Sequence, residues 1–353
     1  MKQALQLQTQ KQTFQDIFES WVKDGGEEFS GVFSASSPEG VIFQKACGYR
    51  NKAEKLPITT DTAFGIASGT KLFTGLAICK LVDEKKLSLE DKICSLLPHD
   101  LGQINKEVTV FHLLTHSSGV GDYIDEEADI DDALQSLYDK YPVQLWTKLE
   151  YYLQMITPLS AKFEPGHRYG YSNSGFVLLG LVVEAISSQS FQQYVQENII
   201  ASCGLTNTAF YRMDSLPANT ALGYIQDDDT GKWHTNIYSL PIIGGSDGGL
   251  YTCAADLDKL WRAIFAHKLL SKEMTLAFLD AQITIDEECG ESYGLGVYRN
   301  IEEGRLSYYV VGGDAGVDFF TGYFPETKIA VSAFANTNVN TFPLLNEAFE
   351  ILG

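Results

Sequence analysis

The sequence predicts an α+β fold in which one antiparallel sheet is built from both ends of the chain. Strand-like runs occupy residues 29–34 and 41–49, and they reappear between residues 293 and 336. Helical periodicity fills most of the chain between them. Helical stripes also precede the first strands and follow the last one. We therefore expect a sheet flanked by terminal helices, with a mostly helical insertion.

The first elements follow from the spacing of apolar residues. Phe14, Ile17, Phe18 and Trp21 share one helical stripe, which predicts an N-terminal helix packed on the sheet. The turn sequence SSPEG separates the first two strands. Apolar residues at helical spacing then predict an amphipathic helix that starts near Ser68 and buries one face.

The same criteria predict the remaining elements. Helical segments are expected at residues 91–97, 108–115, 141–157, 174–187, 191–200, 255–266 and 342–352. Strands are expected at residues 293–301, 306–311, 317–324 and 328–336. This order predicts an α/β sheet subdomain from residues 1–62 and 236–353. Residues 63–235 would form a mostly helical subdomain, with the active site in the cleft between the two.

Composition excludes several classes of partner. The 353 residues carry 26 Lys and Arg against 46 Asp and Glu, a net charge of −20, which repels nucleic acid and anionic lipid. The N-terminal sequence has no apolar leader, and no run is long enough to span a membrane. Six scattered cysteines without a CxxC pair favour a reducing compartment. These features predict a cytoplasmic protein without disulfides or a membrane partner, and they leave its oligomeric state open.

The stretch FGIASGTKLFT, residues 64–74, contains the strongest candidates for catalytic residues. Ser68 stands where a helix should begin, so its hydroxyl could simply cap that helix. Lys71, three residues later, lies on the same helical face. Desolvation near the apolar face would lower the pKa of this lysine and make it a proton acceptor. A serine beside such a lysine has the features of an activated nucleophile.

A second stretch, FEPGHRYGYSNSGFVLLG at residues 163–180, contains Tyr171 and Asn173 just before a predicted helix. Capping is one explanation, because Ser172 and Asn173 both cap helices well. Placed beside Ser68 and Lys71, the two residues have a chemical role. A phenol near a cationic lysine would ionise more easily and relay protons, and Asn173 could hold Lys71 and donate to a substrate.

Other polar clusters do not predict a metal site. His112 and His116 have the i, i+4 spacing of zinc ligands, but the glutamate of HExxH and a third ligand are both missing. The acidic run 122–132 lacks the glycine and spacing of an EF-hand. We therefore expect neither a metal nor another cofactor.

Four stretches together resemble the penicillin-recognising serine hydrolases. This superfamily includes class C β-lactamases, low-molecular-weight penicillin-binding proteins, D-aminopeptidases and related carboxylesterases. The stretches are residues 64–74, HLLTHSSGV at 112–120, residues 163–180 and GGSDGGLYTCAADLDKL at 244–260. The resemblance implies the β-lactamase/transpeptidase-like fold.

The resemblance also implies roles for individual residues. Ser68 resembles the acylated nucleophile, Lys71 its proton partner and Tyr171 the second acid or base. Asn173 resembles the asparagine that binds the substrate amide. The family's oxyanion hole combines the nucleophile's N–H with one from a strand lining the cleft, which here would be that of Gly316.

The chain departs from the family in the third motif, which is usually Lys-Thr-Gly or His-x-Gly. The matching run is VGGDAG at residues 311–316, and we expect Gly313 where the family has its cation. Losing that cation removes a charge-assisted contact worth about 1.5–3 kcal/mol. If Asp314, and with it Asp318, faces the cleft, anionic substrates are disfavoured. Alternatively, Asp314 points away or caps a turn.

These observations predict a serine hydrolase that forms an acyl-enzyme with a small ester, amide or β-lactam. The altered third motif favours esterase or D-amino-acid-releasing activity over efficient β-lactam hydrolysis. A penicillin-binding or DD-peptidase-like protein is one alternative. A binding or sensing module with weakened catalysis on the same fold is another.

Overall fold

The computed structural model describes residues 2–23, 29–126, 137–138, 140–227 and 229–352, with the backbone alone for residues 2–7. An eight-stranded antiparallel sheet dominates it, in the order β2-β1-β8-β7-β6-β5-β4-β3. Its strands are β1 (Gly31–Ser37), β2 (Gly40–Cys47), β3 (Ile283–Asp286), β4 (Glu291–Tyr293), β5 (Tyr298–Glu302), β6 (Arg305–Asp314), β7 (Val317–Phe324) and β8 (Ile329–Ala335). Since β1 pairs with β8, the two ends of the chain build one sheet, which confirms the predicted α+β class.

Helices cover the sheet and fill the middle of the chain. The α-helices of the described residues are α1 (Lys2–Lys23), α2 (Thr70–Asp83), α3 (Ile93–Leu96), α4 (Val110–Leu114), α5 (Leu153–Ile156), α6 (Asn173–Ser187), α7 (Phe191–Val195), α8 (Ala254–Phe265), α9 (Lys272–Leu279) and α10 (Phe342–Leu352). Short two-stranded ladders join 49–51 to 56–57, 64–65 to 251–252 and 224–226 to 233–235. None of the described helices is, by itself, long and apolar enough to cross a membrane; only α6 taken together with residues 191–203, across a 77° bend, reaches that length.

Two apolar clusters hold the layers together. One joins the terminal helices to a face of the sheet, where Phe18 stacks on Phe33 with ring centroids 5.8 Å apart. The other, larger cluster surrounds α2 and α6. Every residue of α2 from Thr70 to Cys79 is buried, so the prediction of a single buried face was wrong. A helix buried on all sides gives a rigid mount for the residues at its start.

One strand prediction was also wrong. Residues 293–301 form two strands joined by a turn at 294–297, because Gly294 and Gly296 let the buried chain reverse. Helix α9 and strand β3 were not predicted. In the acidic run 122–132, residues 127–132 lie outside the described residues. The division into two subdomains stays a prediction.

Candidate active site

Ser68 lies in a tight turn that leads directly into α2. Residues 67–69 form one turn of 3-10 helix, and Ala67 has a left-handed backbone with φ of +43°. The hydroxyl of Thr70 closes the turn by donating to Ala67 O at 2.8 Å. Ser68 is partly exposed between buried neighbours, and its hydroxyl does not cap the helix. The turn therefore presents this hydroxyl to the cavity beside it.

Lys71 is 2% exposed, and three acceptors surround its amine. Nζ lies 2.9 Å from Ser68 Oγ, 2.8 Å from Asn173 Oδ1 and 2.8 Å from the backbone oxygen of Asp247. Burial lowers the pKa of Lys71, while nearby carboxylates, first that of Asp247, oppose this effect. In the neutral form, two N–H groups still serve Asn173 and Asp247, and the lone pair faces the Ser68 hydroxyl.

Tyr171 comes from the loop before α6 and donates its phenolic hydrogen to Ser68 Oγ at 2.7 Å. Burial is the largest influence on this group and raises the pKa of Tyr171 well above its usual value. The expectation that Tyr171 ionises more easily was therefore wrong. Tyr171 is a neutral phenol in this site, and its chemical capacity is to donate a proton or relay one.

Asn173 is the first residue of α6, and its position depends on a buried carboxylate. Asp122 accepts the backbone N–H groups of Asn173 at 2.7 Å and Ser174 at 2.8 Å, at the positive end of the helix. The side-chain Nδ2 donates to Glu126 Oε1 at 3.0 Å. Asn173 thus holds Lys71 through Oδ1, while its amide hydrogens bond within the protein.

The two histidines have separate structural roles. His112 Nδ1 accepts the Thr109 N–H at 3.2 Å and so caps α4. His116 Nδ1 accepts the Ser172 N–H at 3.1 Å, and its ring packs 4.5 Å from that of Tyr171. Burial lowers the pKa of His116 well below its usual value, so the ring is neutral. Its packing fixes the loop that carries Tyr171.

A cavity of about 720 Å³ opens in front of Ser68, Lys71, Tyr171 and Asn173. Among the described residues that line it, Lys71 is the only cation, and its three hydrogen bonds are made within the protein. The lining carboxylates are those of Glu126, Asp247, Glu291 and Asp314. Three basic residues that precede Tyr171 in the sequence, Lys162, His167 and Arg168, do not line the cavity. Its charge therefore disfavours an anionic ligand.

Strand β6 forms the wall opposite Ser68. A Cβ on Gly312 would lie 2.2 Å from Ile66 O and 3.0 Å from Ser68 N, so glycine permits the strand to approach the turn. The next residue, Gly313, is exposed and lines the cavity. Asp314 also lines it, and burial raises the pKa of this carboxyl to about 7. Asp314 therefore faces the cleft, whereas Asp318 accepts from Thr341 outside the cavity lining.

Gly316 does not occupy the place expected of an oxyanion donor. Its N–H donates to Asn338 Oδ1 at 2.8 Å, and the residue does not line the cavity. With φ of +69° and the backbone of Tyr224 close by, Gly316 instead forms the tight turn between β6 and β7. The prediction of an oxyanion role for Gly316 is corrected for this reason.

Sequence reasoning gave no individual role to four carboxylates around the site, two of which belong to the acidic run 122–132. These are Asp122, Glu126, Asp247 and Glu291. Asp247 stands inside the GGSDGG run, where its backbone binds Lys71 and its buried carboxylate accepts the hydroxyl of Tyr123. Two signals were available, since Asp122 directly follows HSSGVG and Asp247 interrupts a glycine-rich turn. Glu291 has no comparable local signal.

Comparisons with known proteins identify the family and the fold. The family model described as Beta-lactamase matches residues 18–352. Penicillin-binding protein 4* of Bacillus subtilis is 27% identical over 85% of this chain, and the match spans 66% of that protein's length. A penicillin-binding protein structure from Bacillus halodurans is 39% identical, covers 96% of this chain and 100% of its own, and has a TM-score of 0.88. A D-stereospecific amidohydrolase from Streptomyces shares the fold at 22% identity over 95% of this chain and 97% of its own, with a TM-score of 0.79.

Proposed function

This chain belongs to the beta-lactamase family, as its sequence motifs predicted. We propose that it is a serine hydrolase that acts through an acyl-enzyme on Ser68. The observation that carries the proposal is the contact of Ser68 Oγ with both Lys71 Nζ at 2.9 Å and Tyr171 OH at 2.7 Å. A hydroxyl with a desolvated amine on one side and a neutral phenol on the other has both partners that nucleophilic catalysis needs.

The proposed reaction begins when Ser68 Oγ attacks the carbonyl carbon of an ester or amide. Its proton passes to neutral Lys71, and the new Oγ–C bond forms a tetrahedral oxyanion. Tyr171 donates a proton to the leaving group as the bond to it breaks, and recovers that proton from Lys71. Water then attacks the acyl-enzyme, releases the acid and restores the Ser68 hydroxyl.

The oxyanion would accept hydrogen bonds from the backbone N–H of Ser68 and from one backbone N–H of the Gly312–Gly313 stretch. Gly312 lies against the Ser68 turn, and Gly313 is exposed to the cavity. Backbone donors fixed in this way need no reorganisation during the reaction, which is why they stabilise the developing charge strongly.

The charge of the cavity favours neutral or positively charged substrates. Glu126, Asp247 and Asp314 surround the one cation, Lys71, and no described lining residue is free to pair with a substrate carboxylate. We therefore place hydrolysis of esters, or amides that release an amine-bearing amino acid, above efficient turnover of anionic β-lactams.

A second candidate is a penicillin-binding protein that is acylated but deacylates slowly. The names of the relatives from Bacillus subtilis and Bacillus halodurans favour it. The match to the Bacillus subtilis relative covers 66% of that protein's length.

One experiment tests both candidates. Wild type and Ser68→Ala are treated with a fluorophosphonate or a fluorescent penicillin, and the labelled peptide is mapped by mass spectrometry. Parallel kcat/KM values are measured for p-nitrophenyl acetate, nitrocefin and a D-alanine amide. We expect label on Ser68 and turnover of the ester or amide. Fast nitrocefin turnover would reverse the substrate ranking, and label elsewhere than Ser68 would refute the mechanism.

A further inference from the structure

The cavity extends well beyond the reacting groups, past a free edge of the sheet. Strand β5 pairs with β6 only as far as Tyr309, so none of the described strands pairs with that side of β6 from Val310 to Asp314. Lining residues lie on both sides of this opening. The part of the lining that comes from β3, β4, β5, the β6 residue Tyr309 and the start of α10, here called the distal lobe, includes Ile285, Glu291, Tyr298, Tyr309 and Phe342.

The sheet register builds an aromatic wall in this lobe. Tyr293, Tyr298 and Tyr309 lie directly opposite one another across β4, β5 and β6, so they share one face. The rings of Tyr298 and Tyr309 are stacked, with centroids 5.0 Å apart. Glu291 lies two residues before Tyr293, on the same face, and its carboxylate accepts the hydroxyl of Tyr309.

Glu291 is the carboxylate that bonds directly to this aromatic wall, through Tyr309, while the charge of Glu126 also acts on Tyr298. Its hydrogen bond to Tyr309 uses Oε1, and Glu291 lines the cavity together with these tyrosines. A cation bound here would pair with the carboxylate and would also be attracted to the faces of the neighbouring aromatic rings. An anionic or purely polar ligand group has no comparable partner there.

We propose that the distal lobe binds an ammonium group of the substrate, joined to the scissile carbonyl by an apolar chain. Gly312 packs against Ser68, and Tyr309 lies three residues earlier on β6. At about 3.3 Å per strand residue, the apolar chain of the substrate therefore has to span roughly 10 Å. This inference rests on the proposed function, and it adds a subsite and a substrate class to it.

The test uses two p-nitrophenyl esters of the same shape. One is p-nitrophenyl 8-(trimethylammonio)octanoate, and the other is its carbon isostere, p-nitrophenyl 9,9-dimethyldecanoate. We expect wild type to prefer the cationic ester about tenfold in kcat/KM at low salt, and Glu291→Gln to lose most of that preference. Glu302→Gln, an exposed carboxylate on the neighbouring strand, is the matched control and should keep it.

Two further measurements separate the lobe from the carboxylates near Ser68 and from misfolding. A four-carbon pair of esters cannot reach Glu291, so its preference should be equal in wild type and Glu291→Gln. Tyr298→Leu should weaken the preference for the long cationic ester without removing the carboxylate. An unchanged long-chain preference in both variants overturns the proposal, since Glu291 would then only anchor Tyr309.

The inference can fail independently of the proposed function. If wild type hydrolyses neither ester, the hydrolase proposal fails, while the lobe is still tested by titrating octyltrimethylammonium into Ser68→Ala in a calorimeter. Binding that weakens about tenfold on adding Glu291→Gln supports the subsite. Equal binding with and without that second substitution refutes it.

Discussion

Replacing Gly312 with alanine should damage both stability and catalysis. The new Cβ would meet Ile66 O at 2.2 Å, whereas ordinary contact begins near 3.4 Å, so strand and turn must separate by about 1 Å. Overpacking of this kind costs about 1–3 kcal/mol in the free energy of unfolding. For a chain of this length, that lowers Tm by about 1–4 °C. A displacement of about 1 Å at the nucleophile reduces kcat/KM by about a hundredfold.

The neighbouring position gives a matched control. A Cβ on Gly313 meets nothing within 4 Å, so Gly313→Ala makes the same chemical change without the clash. Calorimetry and hydrolysis of p-nitrophenyl acetate, a substrate small enough to tolerate an added methyl group, measure the two effects. Near wild-type values for Gly312→Ala, or equal losses in the two variants, would refute the conclusion that close approach of β6 positions Ser68.

Three further predictions concern the groups around Ser68. Tyr171→Phe keeps the ring packed on His116 but removes the hydroxyl, so kcat should fall about 10²–10⁴-fold, while Tyr169→Phe stays near wild type. Burial lowers the pKa of Lys71 and the Asp247 carboxylate raises it, so Asp247→Asn should lower this pKa further. The acid limb of the profile of kcat/KM against pH should therefore move to lower pH, and a shift to higher pH would contradict this reasoning. Burial raises the pKa of Asp314 to about 7, so this carboxyl ionises between pH 6 and 8. Over that range, the preference of wild type for a four-carbon cationic ester over its isostere should increase, and in Asp314→Asn it should not change.

Elements with clean periodicity could be predicted from the sequence, and buried irregular ones could not. The predicted bounds of β7 and α10 match the structure. The single strand predicted at residues 293–301 was wrong because its apolar residues continue through a buried turn, so composition does not mark the reversal. The full burial of α2 was missed for a related reason, since polar residues such as Thr70 and Thr74 satisfy their hydroxyls on buried backbone oxygens.

The site divides in the same way between local and long-range information. Ser68 and Lys71 are three residues apart on one helix, so their contact follows from helical geometry. The approach of Tyr171 follows only from the packing of α6 against α2. The pKa direction of Tyr171 was mispredicted because burial, which raises the pKa, outweighs the hydrogen bond with Ser68, which lowers it. The Gly316 role failed because sequence does not show that Asn338 accepts its N–H.

The pairing of β1 with β8 has a consequence for how this chain is made. Gly31 faces Ala335, about 300 residues later, so this apolar strand is synthesised about 300 residues before the strand that pairs with its edge. Until then, the hairpin of β1 and β2 exposes unpaired backbone groups that can recruit another chain. On the ribosome, protection of this edge by a chaperone should therefore matter more for yield than the final stability of the protein.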